Sequence, residues 1–214
     1  MSIPSDVTHR HRPFFLVLEG VDGSGKTTQA QLLADWYREQ GASVVITREP
    51  GGSELGEHLR TIILDPAIAC SARAELLLFL AARAQHVAEI IAPALAAGSV
   101  VICDRFVLST QVYQGLVRGL PMEEVCAVNT VAVGGIHADI TLLLDLPYEI
   151  IHARIGERQD RFEGEGSSLL RRVITGYRQL AEEDAAIHII DGCGEIIEVQ
   201  QRLQQELTNA GFGI

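Results

Sequence analysis

The chain has 214 residues and carries 28 acidic residues against 17 lysines and arginines, which gives a formal net charge of −11. A chain of this length forms one substantial domain and is marginal for two. The acidic excess argues against a nucleic-acid partner, because the summed field repels polyanions. Any phosphate-bearing ligand must therefore be bound by a local cluster of cations and backbone amides.

The cysteines and the N-terminal segment indicate the compartment and exclude several kinds of site. The four cysteines are far apart and form no CxxC pair, so neither a zinc site nor a disulfide framework is predicted, and a reducing cytoplasm fits best. Residues 1–13 are polar and lack the apolar core of a signal peptide, so we expect a disordered tail before a single domain over residues 14–214. No apolar run approaches the roughly 20 residues of a membrane span, so no membrane association is expected.

Five short apolar runs predict the strands of a sheet. Helical spacing over residues 27–40 follows the first run, and Ser71 can cap a long helix that reaches about Ala97, with Pro93 bending or dividing it. Strands that alternate with helices predict an α/β fold with a mainly parallel sheet wrapped by helices on both faces. Such sheets bind ligands beyond the carboxyl ends of their strands. The predicted strands are 14–19, 43–47, 100–103, 140–144 and 187–190.

A glycine-rich segment between the first predicted strand and the first helix has the G-x-x-x-x-G-K-[ST] pattern of a P-loop. Its glycines let successive backbone amides point at phosphate oxygens, and the helix N-terminus adds partial positive charge. Lys26 is placed to reach the β and γ phosphates of a nucleoside triphosphate, and Thr27 to bind Mg²⁺. A turn that merely packs tightly is the alternative, but Lys26 is the only lysine of the chain, which favours phosphate binding. The segment reads Gly20-Val21-Asp22-Gly23-Ser24-Gly25-Lys26-Thr27.

Two arginines that follow predicted strands narrow the class of P-loop protein. A GTPase needs an Asn-Lys-x-Asp motif, which is excluded because the only lysine is Lys26. Arg48 follows the second predicted strand, and Arg105 follows the third. Either one alone would be an ordinary surface arginine, but their shared position at strand ends indicates a second anionic ligand.

Together these motifs resemble the thymidylate kinase family, whose members are P-loop enzymes that phosphorylate dTMP. The resemblance covers nearly the whole chain after the tail. It implies a P-loop NTPase fold, transfer of the γ-phosphoryl group of MgATP to dTMP, a homodimer, and a mobile lid over about 154–166. A kinase for another pyrimidine nucleotide, such as dUMP or dCMP, and a regulatory protein that binds ATP remain as alternatives. The resemblance rests on residues 15–29 and 47–52, on Phe79 with Arg83, on Asp104-Arg105 with Ser109-Thr110, and on Tyr113-Gln114.

The resemblance implies a role for each substrate-binding residue. Arg48 and Arg105 would bind the monophosphate, and Asp22 would contact the sugar hydroxyl or help to organise Mg²⁺. Phe79 and Arg83 lie four residues apart on one helix face, so the ring could stack on a pyrimidine while the guanidinium donates to its carbonyl oxygen. A core role for Phe79 is the alternative. The implied substrate-binding residues are Asp22, Arg48, Phe79, Arg83, Arg105, Ser109, Thr110, Tyr113 and Gln114, of which Tyr113 would exclude a ribose hydroxyl.

The resemblance also implies which groups bind ATP and carry the reaction. Gly23 stands where some family members have a catalytic arginine, so the lid arginines Arg158 and Arg161 would stabilise the transferring phosphoryl group. Arg154 would lie near the ATP base, or would belong to an exposed helix laced with salt bridges. The implied ATP-binding residues are Gly20, Val21, Asp22, Gly23, Ser24, Gly25, Lys26, Thr27, Thr28 and Arg154; the catalytic residues are Lys26, Arg105, Arg158 and Arg161; the Mg²⁺ ligands are Thr27 and Asp104.

Overall fold

The structure is a computed structural model, and it describes residues 12–155 and 167–213. The predicted tail lies outside the described residues except for its last two positions. Most of the predicted lid also lies outside them, including Arg158 and Arg161. The extent of the single domain and that of the lid stay predictions.

The described residues form one five-stranded sheet in which all strands run parallel, in the order β2-β3-β1-β4-β5. This confirms the predicted α/β fold class. Each strand from β2 to β5 ends one residue later than predicted, on an arginine or an aspartate, because the apolar run stops before the backbone pairing does. The strands are β1 Phe15–Glu19, β2 Val44–Arg48, β3 Val100–Asp104, β4 Ile140–Asp145 and β5 Ile187–Asp191.

Helices cover both faces of this sheet. The first, α1, spans Lys26–Glu39, close to the predicted 27–40. The next, α2, spans Glu54–Leu64 and is capped by Ser53, whose hydroxyl accepts a hydrogen bond from the Gly56 amide at 3.1 Å. The others are α3 Ala72–His86, α4 Ala92–Ala96, α5 Val107–Thr110, α6 Met122–Val133, α7 Tyr148–Ile155, α8 Ser167–Glu183 and α9 Ile196–Asn209, with wider π-helical turns at Val87–Ile91 and Gln111–Val117.

The helix predicted from 72 to 97 is divided by a π-helical turn, in which the Ala92 amide bonds to the Val87 carbonyl. Pro93 follows directly and has no amide hydrogen, so the α-helical ladder loses a bond and the division begins before the proline. Contrary to the sequence expectation, the described stretch Ala72–Ala96, with mean hydropathy 1.3, is long and apolar enough to cross a membrane by length and composition alone. Core helices pass the same test, and α3 packs here against α2 and α6.

Alternating side chains of the central strand contribute to an apolar core on each face of the sheet. On one face, Leu16 packs with Leu33 of α1 and Leu203 of α9. On the other face, Phe15 packs in a cluster with Ile91. Every residue of β1 is buried, which explains why the strand is apolar up to its last residue, Glu19. The segments that follow β1 and β3, including the beginnings of their next helices, carry most of the predicted site residues.

Candidate active site

The loop between β1 and α1 requires glycine where it passes close to its neighbours. Gly20 has φ +138°, and a Cβ atom there would lie 2.7 Å from the Leu144 carbonyl oxygen at the end of β4. Gly23 has φ +78°, and a Cβ atom there would lie 2.6 Å from Cγ2 of Ile155 at the end of α7. A side chain at either position would meet both backbone strain and a neighbouring atom.

Lys26 lies inside this loop with its side chain only 5% exposed. Its Nζ donates a hydrogen bond to the Val21 carbonyl at 2.9 Å and lies 4.0 Å from Asp22 and 3.9 Å from Asp104. Burial lowers the pKa of the Lys26 ammonium, and the Arg105 charge adds to this, while the two carboxylates oppose it. The compact charge of Lys26 is therefore held between a backbone carbonyl of the loop and two carboxylates.

Two oxygen donors meet where α1 begins and β3 ends. The Thr27 hydroxyl donates to Asp104 Oδ2 at 2.6 Å. Mg²⁺ prefers oxygen ligands, and at nucleotide sites one or two protein ligands suffice because phosphates and water complete its shell. The chemistry of this pair therefore fits Mg²⁺ bound together with a nucleotide.

Arg105 is the only non-glycine residue with positive φ among the described residues, at +76°. Its Nη2 donates to Asp22 Oδ1 at 2.8 Å, and its Nη1 donates to the Tyr177 hydroxyl at 2.8 Å and to Ser109 Oγ at 3.1 Å. The guanidinium carbon lies 5.5 Å from the centre of the Tyr113 ring. The Arg105 charge holds the pKa of Asp22 well below its usual range, against the effect of burial.

Glu19, the last residue of β1, fixes the backbone that follows Arg105. Its Oε1 accepts from the amides of Phe106 at 2.8 Å and Ser109 at 3.1 Å, and its Oε2 accepts from the Ser109 hydroxyl at 2.6 Å and the Tyr177 hydroxyl at 3.1 Å. The carboxylate is fully buried, and burial raises its pKa while Arg105 and these hydrogen bonds lower it. The buried carboxylate thus anchors the segment that carries Arg105.

Two further arginines lie around the end of β2 and the loop that follows it. Arg48, at the end of β2, donates from Nη2 to both carboxylate oxygens of Glu57, at 3.0 and 2.9 Å, and its side chain is 52% exposed. Arg60 of α2 donates from Nη1 to the Pro50 carbonyl at 2.7 Å. Burial lowers the pKa of Arg60, and the neighbouring Arg48 adds to this. Positive charge is therefore concentrated locally in a chain that is acidic overall.

Arg83 belongs to a buried polar network. Its guanidinium is 2% exposed and donates to Glu49 Oε2 at 2.7 Å, to the Phe106 carbonyl at 2.9 Å and to the Asn129 side chain. The ring of His86 lies with Nδ1 3.1 Å from the other oxygen of Glu49. The role of Arg83 at a pyrimidine carbonyl stays a prediction, since most N–H donors of Arg83 already have protein acceptors.

These residues enclose one cavity of about 420 Å³. All nine predicted substrate-binding residues line it, together with the P-loop from Asp22 to Thr28 apart from Ser24. Five cationic side chains and three carboxylates of the described residues stand in the wall. They are Lys26, Arg48, Arg60, Arg83 and Arg105, and Asp22, Glu49 and Asp104.

Comparison with known proteins identifies the family of this chain. A family model described as thymidylate kinase matches residues 18–203. The chain belongs to the thymidylate kinase family. The resemblance proposed from the sequence is therefore confirmed, and the chain is a kinase.

Curated relatives and a solved structure agree with this assignment. The chain is 49% identical to a thymidylate kinase of Desulfovibrio desulfuricans, over 94% of this chain and 99% of the relative. It is 45% identical to that of Pseudomonas fluorescens, over 91% and 95%. A crystal structure of thymidylate kinase from Ehrlichia chaffeensis matches with a TM-score of 0.75 and 32% identity, and the match covers 92% of this chain and 99% of that one.

The remaining predicted ATP-binding residues of this kinase lie around the loop rather than in the cavity wall. Gly20, Val21 and Ser24 form the body of the P-loop. Arg154, exposed at the end of α7, donates from Nη1 to the Gly23 carbonyl at 3.3 Å, so it lies against the P-loop. The predicted catalytic residues Arg158 and Arg161 lie outside the described residues.

Sequence reasoning missed several residues of this site. Arg60 lines the cavity one helical turn before Leu64, which also lines it, but the sequence analysis gave no bounds for α2. Tyr177 was missed because no motif marks it. Glu19 lies within the segment 15–29 that carries the resemblance, but it was assigned no role. Both residues act through Arg105 and Ser109. The signal for Arg60 was available: a lone arginine in the helix directly after the loop at 47–52.

Proposed function

We propose that this member of the family transfers the γ-phosphoryl group of MgATP to dTMP, yielding dTDP and ADP. One observation carries the proposal: a single cavity joins the P-loop lysine Lys26 to the arginines at the ends of β2 and β3 and to the aromatic ring of Phe79. Such a cavity can hold a nucleoside triphosphate and a monophosphate with their phosphates facing each other. The names of the relatives support dTMP as the acceptor.

The reaction needs positioning rather than a protein nucleophile. Arg48 and Arg105 would hold the dTMP phosphate so that one of its oxygens attacks the γ-phosphorus. A new P–O bond forms as the bond from the γ-phosphorus to the bridging oxygen of ADP breaks. Lys26 stabilises the charge that spreads over the transferring group. Asp22 keeps the Arg105 guanidinium oriented, as their 2.8 Å contact supports.

Thr27 and Asp104 are the residues that would hold Mg²⁺. Their hydroxyl and carboxylate oxygens lie 2.6 Å apart at the mouth of the P-loop, which supports the assignment. When bound, Mg²⁺ would neutralise the negative charge that develops on the transferring phosphoryl group.

A panel of nucleoside monophosphates tests the proposed function. ADP release is measured with ATP and Mg²⁺ in the presence of dTMP, dUMP, dCMP, dAMP or dGMP. We expect dTMP to give the highest kcat/KM. If another monophosphate gave a higher kcat/KM, that monophosphate and not dTMP would be the preferred acceptor. If nucleotide bound but no monophosphate stimulated ADP release, the kinase reaction would be refuted.

Replacing Tyr177 by phenylalanine is expected to lower kcat/KM for dTMP about tenfold, because Arg105 loses a hydrogen-bond acceptor and Glu19 loses a donor. Tyr177 does not touch the proposed phosphates, so it acts by positioning Arg105. Tyr37→Phe is the matched control: it removes another buried hydroxyl, which donates to the Phe212 carbonyl at 2.8 Å on the far side of the molecule. If both variants lost stability but neither lost activity, Tyr177 would have a structural role alone.

The lid arginines are proposed to complete the catalytic charge. Gly23 offers no side chain to the γ-phosphate, and Ile155 occupies the space beside it. Arg158→Ala and Arg161→Ala should therefore each lower kcat more than they raise KM. Steady-state kinetics over both substrates decide this, and a rise in KM with unchanged kcat would assign these arginines to ground-state binding.

A homodimer and a cytoplasmic location are also proposed. Leu77 of α3 and Val131 of α6 are 60% and 82% exposed, although these two helices pack on each other, and a second copy could cover them. All four cysteines are free, which suits a reducing compartment. Light scattering should give twice the 23.2 kDa mass of one chain; a single-chain mass would refute the dimer.

A further inference from the structure

A buried carboxylate contacts the cavity wall from behind. Glu75 of α3 and Gln114 are each 1% exposed, and of the two only Gln114 is among the described residues that line the cavity. Gln114 donates from Nε2 to Glu75 Oε1 at 2.9 Å, and Arg118 donates from Nε to the same oxygen at 3.3 Å. Gln114 therefore connects Glu75 to the cavity.

This contact determines which end of the Gln114 amide faces the cavity. An ionised carboxylate has hydrogen-bond acceptors and no donor, so it binds the NH₂ end of an amide and not the carbonyl end. Arg118 donates to the same oxygen of Glu75, which therefore acts as an acceptor toward both neighbours. The carbonyl Oε1 then points away from Glu75, and it is not among the described polar atoms that are buried without a partner. Gln114 thus presents an acceptor to the cavity.

Arg83 adds the opposite polarity to the same wall. A guanidinium has only donors, and Arg83 lines the cavity together with Gln114. Thymine and uracil carry an N3–H donor beside an O4 acceptor, which complements this acceptor and donor. Cytosine carries an N3 acceptor beside an amino donor. Its N3 would face the acceptor of Gln114, and its amino group would face the donor of Arg83.

We propose that Glu75 determines specificity by fixing the Gln114 amide, so that the cavity accepts thymine or uracil and rejects cytosine. The inference rests on the proposed function, because it concerns the base of the same acceptor substrate. Sites that hydrogen-bond a ligand group discriminate strongly against analogues that leave the buried partners unpaired. Glu75 is a positioning residue, since it touches Gln114 and not the base.

The variant E75Q tests this role. Gln at position 75 can accept or donate, so the Gln114 amide can turn and present either end. The ratio of kcat/KM for dTMP to that for dCMP should fall at least about tenfold from the wild-type ratio. A second variant, E75M, gives the same test if E75Q does not fold, because methionine fills the space, needs no partner and leaves the amide free to turn.

Glu124→Gln is the matched control. Glu124 pairs with Arg73 of α3 at 3.2 Å on the surface, so its change removes one carboxylate beside the same helix without reaching Gln114. The ratio should stay at the wild-type value in this control. If the folded E75Q or E75M variant slowed both substrates in parallel, the role of Glu75 in specificity would be overturned. Failure of the wild-type chain to phosphorylate dTMP would instead overturn the proposed function itself.

Discussion

Replacement of Lys26 by methionine is expected to lower kcat with MgATP and dTMP by about a thousandfold or more. Nζ of Lys26 lies within the phosphate loop, 2.9 Å from the Val21 carbonyl, and little of the side chain is exposed. Methionine has a similar length but no charge, so the transferring phosphoryl group would lose the cation of the P-loop as its own charge spreads. ADP release at saturating concentrations of both substrates measures the loss.

Lys26→Arg should be nearly as inactive, although it keeps the positive charge. A guanidinium is planar and wider than an ammonium group. The space around Nζ is bounded by Val21, Asp22 and Asp104, all within 4.0 Å. As a control, Arg38→Met removes an exposed cation from the same helix and should leave kcat unchanged. Wild-type turnover in the methionine variant would show that this lysine takes no part in catalysis, and wild-type turnover in the arginine variant would show that a compact ammonium group is not required.

The strands show what hydrophobicity can and cannot predict. Apolar runs located all five strands. The three inner strands β1, β3 and β4 are largely buried between the helices, and the edge strands β2 and β5 keep apolar runs although they are only partly buried. The apolar runs ended four strands one residue early, since Arg48 still pairs with Asp104, and Asp145 with Asp191, in the backbone register. Pairing depends on backbone amides and carbonyls, so it continues where the side chains become polar and turn toward the site.

Site residues that lie inside local motifs could be identified from the sequence. Site residues that act through contacts between distant parts of the chain could not. The P-loop and the segments around Arg48 and Arg105 each have a recognisable local pattern. Tyr177 lies 72 positions after Arg105, and in the sequence it is simply one of the residues on the apolar face of α8. Its role depends on a contact that exists only once the fold has packed α8 against the turn Gln111–Val117, which follows Arg105 in the chain.

Glu75 lies between these two cases, because its spacing to Phe79 and Arg83 in the sequence already indicates a position near the site. It lies four residues before Phe79 and eight before Arg83, so all three share one face of α3. A carboxylate on a helix face assigned to a substrate needs a partner if it is buried. The spacing cannot name that partner, since Gln114 is 39 positions away.

Arg105→Met is expected to lower kcat/KM for dTMP by about two to three orders of magnitude, while KM for ATP changes little. The guanidinium is the group that connects Asp22 to the hydroxyls of Ser109 and Tyr177, and the proposed acceptor phosphate lies beside it. Without it, the acceptor phosphate loses a cation and the Asp22 carboxylate is left to repel it. Initial rates with each substrate varied in turn separate the two effects.

Arg105→Lys should not restore this activity. An ammonium group cannot reach Asp22 and Tyr177 at once in the forked geometry that the guanidinium provides. We expect its kcat/KM for dTMP to stay within about tenfold of the methionine variant. Recovery to the wild-type value would show that Arg105 contributes charge alone, and that its hydrogen bonds to Asp22 and Tyr177 are dispensable.

Arg105→Gly separates the backbone of this residue from its charge. A φ of +76° strains any residue with a Cβ atom by about 1 kcal/mol, and glycine adopts it without strain. The glycine and methionine variants lose the same guanidinium contacts, so the glycine variant should have the higher free energy of unfolding in urea. Both should be equally inactive with dTMP, because the missing cation and not the backbone limits the rate. Activity recovered in the glycine variant alone would instead assign the loss in Arg105→Met to distortion of the segment after β3.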